Sequence, residues 1–294
     1  MKIALAYLGI VMIWATTPLA VKWSGESDWL FGVAARTLLG ALLIVPFVWW
    51  LSKQRFDWQW PAIKVYLVAS IPILGGMTAM YWAAQYLPSG WIGILFGVTP
   101  VMTGIMAHYC LPNSRLTLRK SLGVLISLAG LVVIFAPNLR EQHAQMQLAA
   151  IAMALLSVVF HSYGTVLLKR VNSGISSLHL VAAALWITVI GHFLMAPMTL
   201  LHWPELQLHQ TLAIFYAASV GSVLGFLLYF YLLKHVDAIK VALIPVITPF
   251  FALLIGHWFN NEVLNATVWL GAAMVVMGLV TFEWRFKSLA TPLK

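Results

Sequence analysis

The stretches FGVTPVMTGIMAH, Phe96–His108, and IPVITPFFALLIGH, Ile244–His257, decide the fold of this chain. Each carries Thr-Pro inside an apolar run, and in each a histidine follows the proline by eight residues. Thr99-Pro100 and Thr248-Pro249 lie 149 positions apart in 294 residues, about half the chain. A proline inside a helix costs about 3 kcal/mol, through its missing N–H and its clash with the preceding turn. A chain that accepts this twice, at matched places, is built from two related halves.

The solvent is a membrane. The residues are 62% hydrophobic and 9% charged, whereas a soluble domain carries about 25% charged residues. So few charges cannot cover a surface that faces water. Apolar runs long enough to cross a bilayer, about 20 residues each, recur from end to end. Between polar breaks they give ten spans: 3–21, 29–51, 62–86, 90–111, 118–136, 147–169, 176–200, 209–233, 239–259 and 263–283. The runs are continuously apolar, without the alternation of a membrane β-barrel, so the expected fold is all-α and integral to the membrane. Met1-Lys2 before an apolar run imitates a secretory signal, but no A-x-A site follows, and we read this run as the first span.

Net charge +9 reports topology rather than nucleic-acid binding. With the N-terminus cytoplasmic, 14 of the 17 basic residues fall on the inner side. Lys22 and Arg140 fall in outer loops, and Arg36 falls within a span. This is the positive-inside asymmetry, and it predicts that both termini are cytoplasmic. The single cysteine, Cys110, rules out an intrachain disulfide.

The offset of 149 extends beyond the prolines. Ala69-Ser70 matches Ala218-Ser219, Gly76 matches Gly225, and Gly123 and Gly130 correspond to Gly271 and Gly278 after a one-residue slip. The halves are 1–137 and 146–294, five spans each. A repeat with an odd number of spans re-enters the membrane from the opposite side, which gives an inverted-topology pair. Broken helices at the midplane of such a pair mark a substrate site in transporters. Pro100 and Pro249 are therefore candidate hinges, although a proline in a membrane helix is by itself more often a packing kink.

Arg36 is the one charge well inside a span. A charge there costs about 2.5–3.5 kcal/mol on insertion scales, and such residues usually face a water-filled path; the alternative is snorkelling to the interface. Polar and aromatic residues share helix faces elsewhere: Thr78, Tyr81 and Gln85 with Trp82 on the third span, Ser222, Gly225 and Tyr229 on the eighth, Trp14 with Thr17 on the first, and Ser157, His161 and Gly164 on the sixth. Polar faces avoid lipid. The candidate substrate-binding residues are thus Trp14, Thr17, Arg36, Thr78, Tyr81, Trp82, Gln85, Thr99, His161, Tyr229 and Thr248. Aromatic walls with a few donors suit a small zwitterion or aromatic solute. Packing roles compete with this, since Ser, Thr and Gly also mediate helix contacts. The glycines seven apart on the fifth and tenth spans read as such grooves, within the chain or between the copies of a homodimer. There is no HExxH, Walker loop, GxSxG or Cys/His cluster, so no catalytic residue, metal or cofactor is assigned.

These residues resemble the drug/metabolite transporter superfamily, and within it the EamA family of ten-helix exporters. The marks are W-x-x-x-P at Trp14–Pro18, Arg36, GG-x-x-x-x-Y at Gly75–Tyr81, the mid-span Thr-Pro pairs, and E-x-L-x(6)-G at Glu262–Gly271. After the fourth span the family pattern L-G-E-[RK]-L-T is replaced by LPNSRLT, so Ser114 stands where the acid is expected. The resemblance implies export of amino acids or related small metabolites across the bacterial inner membrane by alternating access, without enzymatic activity. Efflux of organic cations, or a membrane-embedded transferase or hydrolase, are the alternatives.

Overall fold

The computed structural model describes residues 2–52, 55–112, 116–137, 144–171, 174–199, 201, 203–225, 227–228, 232, 235 and 244–283. Among them ten apolar helices follow one another and no strand occurs. They are α1 (Lys2–Ser24), α2 (Trp29–Leu51), α3 (Trp60–Ala84), α4 (Ser89–Cys110), α5 (Leu118–Phe135), α6 (Ala144–Val171), α7 (Ser177–Met195), α8 (Leu208–Leu224), α9 (Ile244–Asn260) and α10 (Ala266–Glu283). Eight are long and apolar enough to cross a membrane, and α8 and α9 are shorter apolar helices over their described residues. Polar caps set several starts. The Asp28 carboxylate accepts from the Leu30 and Phe31 amides at α2, and Thr117 and Ser176 cap α5 and α7 with their hydroxyls.

The halves pair across the bundle. Gly123 and Gly130 of α5 meet Gly278 and Gly271 of α10 backbone to backbone. A Cβ on Gly123 would lie 2.6 Å from the Gly278 carbonyl oxygen, and one on Gly130 would lie 2.6 Å from that of Gly271. No side chain fits there. The expected grooves are therefore filled within the chain. Likewise α4 crosses α9 at small residues: a Cβ on Gly97 would lie 2.5 Å from the Pro249 ring, and one on Gly93 would strike the Ala252 methyl.

The two prolines behave differently. In α4 the helix ends at Gly97, Val98 turns at φ −78°, ψ −7°, and a new helix starts at Thr99. Pro100 thus occupies a first turn, where its missing N–H is one of the orphans of any helix start. The Thr99 hydroxyl donates to the Phe96 carbonyl at 2.6 Å, the group that an N–H at residue 100 would have served. In α9, by contrast, Ile244–Asn260 runs as one helix with Pro249 inside it. The expected pair of interruptions is one break and one continuous helix. Near the start of α9 a proline removes one ladder bond, while the turns on either side are held by packing.

Two further irregularities are paired. Pro72–Met77 in α3 and Ala217–Leu224 in α8 are π-helical. A π segment carries an extra backbone residue per turn and is frequent at functional sites. Pro72 supplies a cause in α3, since it cannot bond to the carbonyl four residues back. In α8 the Ser222 hydroxyl bonds to the Ala217 carbonyl five residues back, at 2.9 Å.

Candidate functional site

The π segments place the site. The wide turn of α3 lies against α6, where a Cβ on Gly75 would meet the Phe160 ring at 3.0 Å and one on Gly76 would strike His161 Nδ1. The wide turn of α8 lies against α1 and α2. A Cβ on Gly221 would sit 3.5 Å from Thr17 Oγ1 and 3.8 Å from Arg36 Nη2. One turn earlier in α8 the Tyr216 hydroxyl pairs with that of Thr16 at 2.6 Å.

Arg36 is 8% exposed. Its Nη2 donates to Ser222 Oγ at 3.3 Å, and Nη1 is buried without a partner among the described residues. The Ser222 proton already serves the Ala217 carbonyl, so this hydroxyl only accepts from Arg36 and does nothing to neutralise it. His161 lies within electrostatic reach of the guanidinium. Its Nδ1 bonds to the Ser157 carbonyl at 2.9 Å. A carbonyl can only accept, so Nδ1 carries the proton and Nε2 is the acceptor of the neutral ring. Phe96 packs edge to face on this ring at 5.3 Å, which brings α4 to the same place just before its break at Val98.

A second group closes the bundle at the end where α1 finishes, called here the far end. Lys22 Nζ donates to the Ala84 and Leu87 carbonyls, each at 3.0 Å. Glu262, between α9 and α10, accepts from the Ser89 and Gly90 amides at 2.6 and 2.9 Å, and from Asn260 Nδ2 at 2.8 Å. A carboxylate on the first amides of α4 meets both orphan donors and the positive end of the helix dipole. Trp23 Nε1 donates to Asn260 Oδ1 at 3.0 Å, and the Tyr81 and Ser24 hydroxyls pair at 2.9 Å. Further out, His209 meets Glu26 at 2.7 Å and Ser27 donates to Gln210 at 2.7 Å. The Glu262, Trp23, His209 and Ser27 bonds join the first half to the second, while those of Lys22 and Tyr81 stay within the first half.

Of the residues expected from sequence, Thr17, Arg36 and His161 lie around the π segments, and the Trp14 indole nitrogen would sit 3.7 Å from a Cβ on Gly225. Tyr81 and Gln85 belong to the far-end closure, Tyr81 fully buried and Gln85 donating to the Gly25 carbonyl at 3.0 Å. Thr78 pairs with His192 Nε2 of α7 at 2.9 Å. Trp82 is half-buried and stacks at a tilt on Tyr86, 5.2 Å away. Thr99 serves the α4 break, and Thr248 is buried beside Pro249. Tyr229 lies outside the described residues. Sequence reasoning missed Lys22, Ser24 and Asn260 as closure residues, Thr16 with Tyr216, and His192. Lys22 carried a signal: it is one of only two basic residues expected on the outer side.

Comparison with known proteins follows the same outline. The family model for EamA-like transporters matches twice, over residues 1–136 and 148–283. This chain belongs to the EamA-like transporter family. Over 98% of its length it is 25% identical to the uncharacterized transporter YvbV of Bacillus subtilis, covering 93% of that protein. It is 22% identical to the uncharacterized inner membrane transporter YedA of Escherichia coli, over 94% of this chain and 88% of that one. A solved crystal structure shares the fold with a TM-score of 0.65 at 17% identity, covering 95% of this chain and 96% of the other. The protein is thus a multi-pass membrane transporter of the EamA-like family.

Proposed function

We propose that this transporter exports an amino acid or a related small metabolite across the bacterial inner membrane by alternating access, with both termini in the cytoplasm. The observation that carries the proposal is Arg36, a buried guanidinium with one hydroxyl partner, set against the π segment of the second half, with His161, which packs on the π segment of the first half, within its electrostatic reach. Such a group is costly in a membrane, and a solute passing through the bundle gives it a use. With the far end periplasmic, the bonds of Lys22 and Glu262 close the outer mouth. In this reading the π segments and the α4 break at Val98 are the places where helices re-register between states, because their ladders are already interrupted. Export of organic cations fits this site poorly, since a cation would meet Arg36.

The test is flux. The purified protein is reconstituted in proteoliposomes, and efflux or counterflow of labelled amino acids and their metabolites is measured against protein-free vesicles. Saturable, counterflow-stimulated movement of at least one of them supports the proposal, and leak-rate movement of all of them overturns it.

A further inference from the structure

We infer that the solute is held through a carboxylate, which supplies the counter-ion that the described residues do not provide to Arg36, and that an α-ammonium group is dispensable for binding. The inference rests on the transport reading for its biological sense, but it stands on charge accounting within the bundle.

The chain has eight acids: Glu26, Asp28, Asp57, Glu141, Glu205, Asp237, Glu262 and Glu283. Asp28 caps α2, Asp57 accepts from the Gln59 amide, Glu26 pairs with His209, and Glu262 binds the first turn of α4. Glu205 precedes α8, and Glu283 is the last residue of α10. Glu141 and Asp237 lie outside the described residues, in polar breaks of the sequence between apolar spans. Among the described residues no acid lies at Arg36. A buried charge without a partner is unstable in low dielectric unless an anion reaches it.

The geometry around the guanidinium selects the kind of anion. Nη2 is partly engaged by Ser222, while Nη1 is buried and unused. Guanidinium donors form a planar fork that matches the two oxygens of a carboxylate. The small residue Gly221 faces Arg36 and Thr17 and leaves backbone-level room beside them. The nearby His161, packed on Gly76 of the first π segment, has its Nδ1–H committed to the Ser157 carbonyl. Nothing in this group is a carboxylate that would demand an ammonium. The site therefore reads the acid of an amino acid and equally that of its deaminated analogue.

The experiment uses the purified full-length protein and two readouts, ligand-dependent thermal stability and flux in proteoliposomes. The probes are acids from acetate to phenylacetate, each beside its neutral amide, and L-phenylalanine, with phenethylamine as the cation and inorganic phosphate as a second anion. Acids are expected to stabilise the wild-type protein in competition with one another, whereas amides, phenethylamine and phosphate are not. Arg36→Gln should weaken acid binding about 30-fold or more, the usual effect of truncating one partner of a buried charge pair, and Arg36→Lys should recover part of it. Should Arg36→Gln fail to fold, the acid and amide pairs on the wild-type protein decide alone. Amides binding as well as acids, no acid binding, phosphate binding as well as the acids, or wild-type acid affinity in folded Arg36→Gln would each overturn the inference. Acid binding that depends on Arg36, with leak-rate flux of every solute, leaves the carboxylate site standing and removes the transport reading. Saturable flux of amides or amines alone does the reverse.

Discussion

Glu262→Gln tests whether the far-end bonds are a gate. The carboxylate receives the Ser89 and Gly90 amides, one on each oxygen, and Asn260 Nδ2 as well. Its charge also acts on Lys22, which ties the end of α1 to the Ala84 and Leu87 carbonyls. The amide of glutamine keeps one acceptor oxygen and turns an NH2 group toward a backbone N–H. One charge-assisted bond of about 1.5–3 kcal/mol is lost and a second falls to a neutral bond of about 0.5–1.5 kcal/mol. The sum, about 3 kcal/mol, acts only while the mouth is closed, so it shifts the equilibrium toward the open mouth about 100-fold. Ser24 is 2% exposed beneath this closure, and a cysteine there, in a Cys110-free background, reports access to an impermeant maleimide. Labelling of Ser24→Cys should accelerate by one to two orders of magnitude in Glu262→Gln, while a cysteine at His108, on the other side, labels no faster. Equal labelling of Ser24→Cys with and without Glu262→Gln, in folded protein, would show that the closure is structural and not a gate.

Two further outcomes are expected. Gly130→Ala or Gly271→Ala forces a methyl to 2.6 Å from the opposing carbonyl oxygen, so each should destabilise the protein by about 1–3 kcal/mol, read as a lower melting temperature, whereas alanine at Gly174, which has open space but φ +67°, should cost less. Reporter fusions after residues 58, 140 and 290 should read in, out and in; a periplasmic C-terminal reporter would refute the inverted arrangement of the halves.

The spans were legible because lipid demands long apolar runs and leaves few alternatives. Their ends were less so, since caps are local: the run read as 263–283 starts at Ala266, where Asn265 Oδ1 accepts from the Val268 amide. Arg36 stood out as a charge among apolar neighbours, and the structure buries it. The irregular backbone was not legible. A π turn adds one residue per turn without changing residue type, and only Pro72 and Gly75-Gly76 hinted at it in α3. The closure was hidden for another reason. Ser24, Tyr81, Asn260 and Glu262 are far apart in sequence and share no spacing, so only the packing of α1, α3, α4 and α9 brings them together.

The departure at Ser114 gives the closure a direction. Glu262 follows α9 and binds the first amides of α4. The inverted repeat expected from sequence maps this onto a residue in the link after α4 and the first amides of α9, at the opposite mouth. That residue is Ser114, where the family pattern has an acid; it and residues 238 and 239, the counterparts of Ser89 and Gly90, lie outside the described residues. On the inverted repeat expected from sequence, a serine replaces the latch carboxylate at the second mouth, and the expected resting state has the far end shut. Ser114→Glu should restore the second latch. A carboxylate on helix-start amides contributes about 1–3 kcal/mol, so the variant should shift access about 5- to 150-fold toward the other state. Its signature is opposite to a simple loss of function: Ser24→Cys labels faster and His108→Cys slower, in the same protein, with the melting temperature held or raised. If Ser114→Glu leaves both rates at their wild-type values, the two mouths are not equivalent in the way the repeat implies, and the missing acid has no part in setting the resting state.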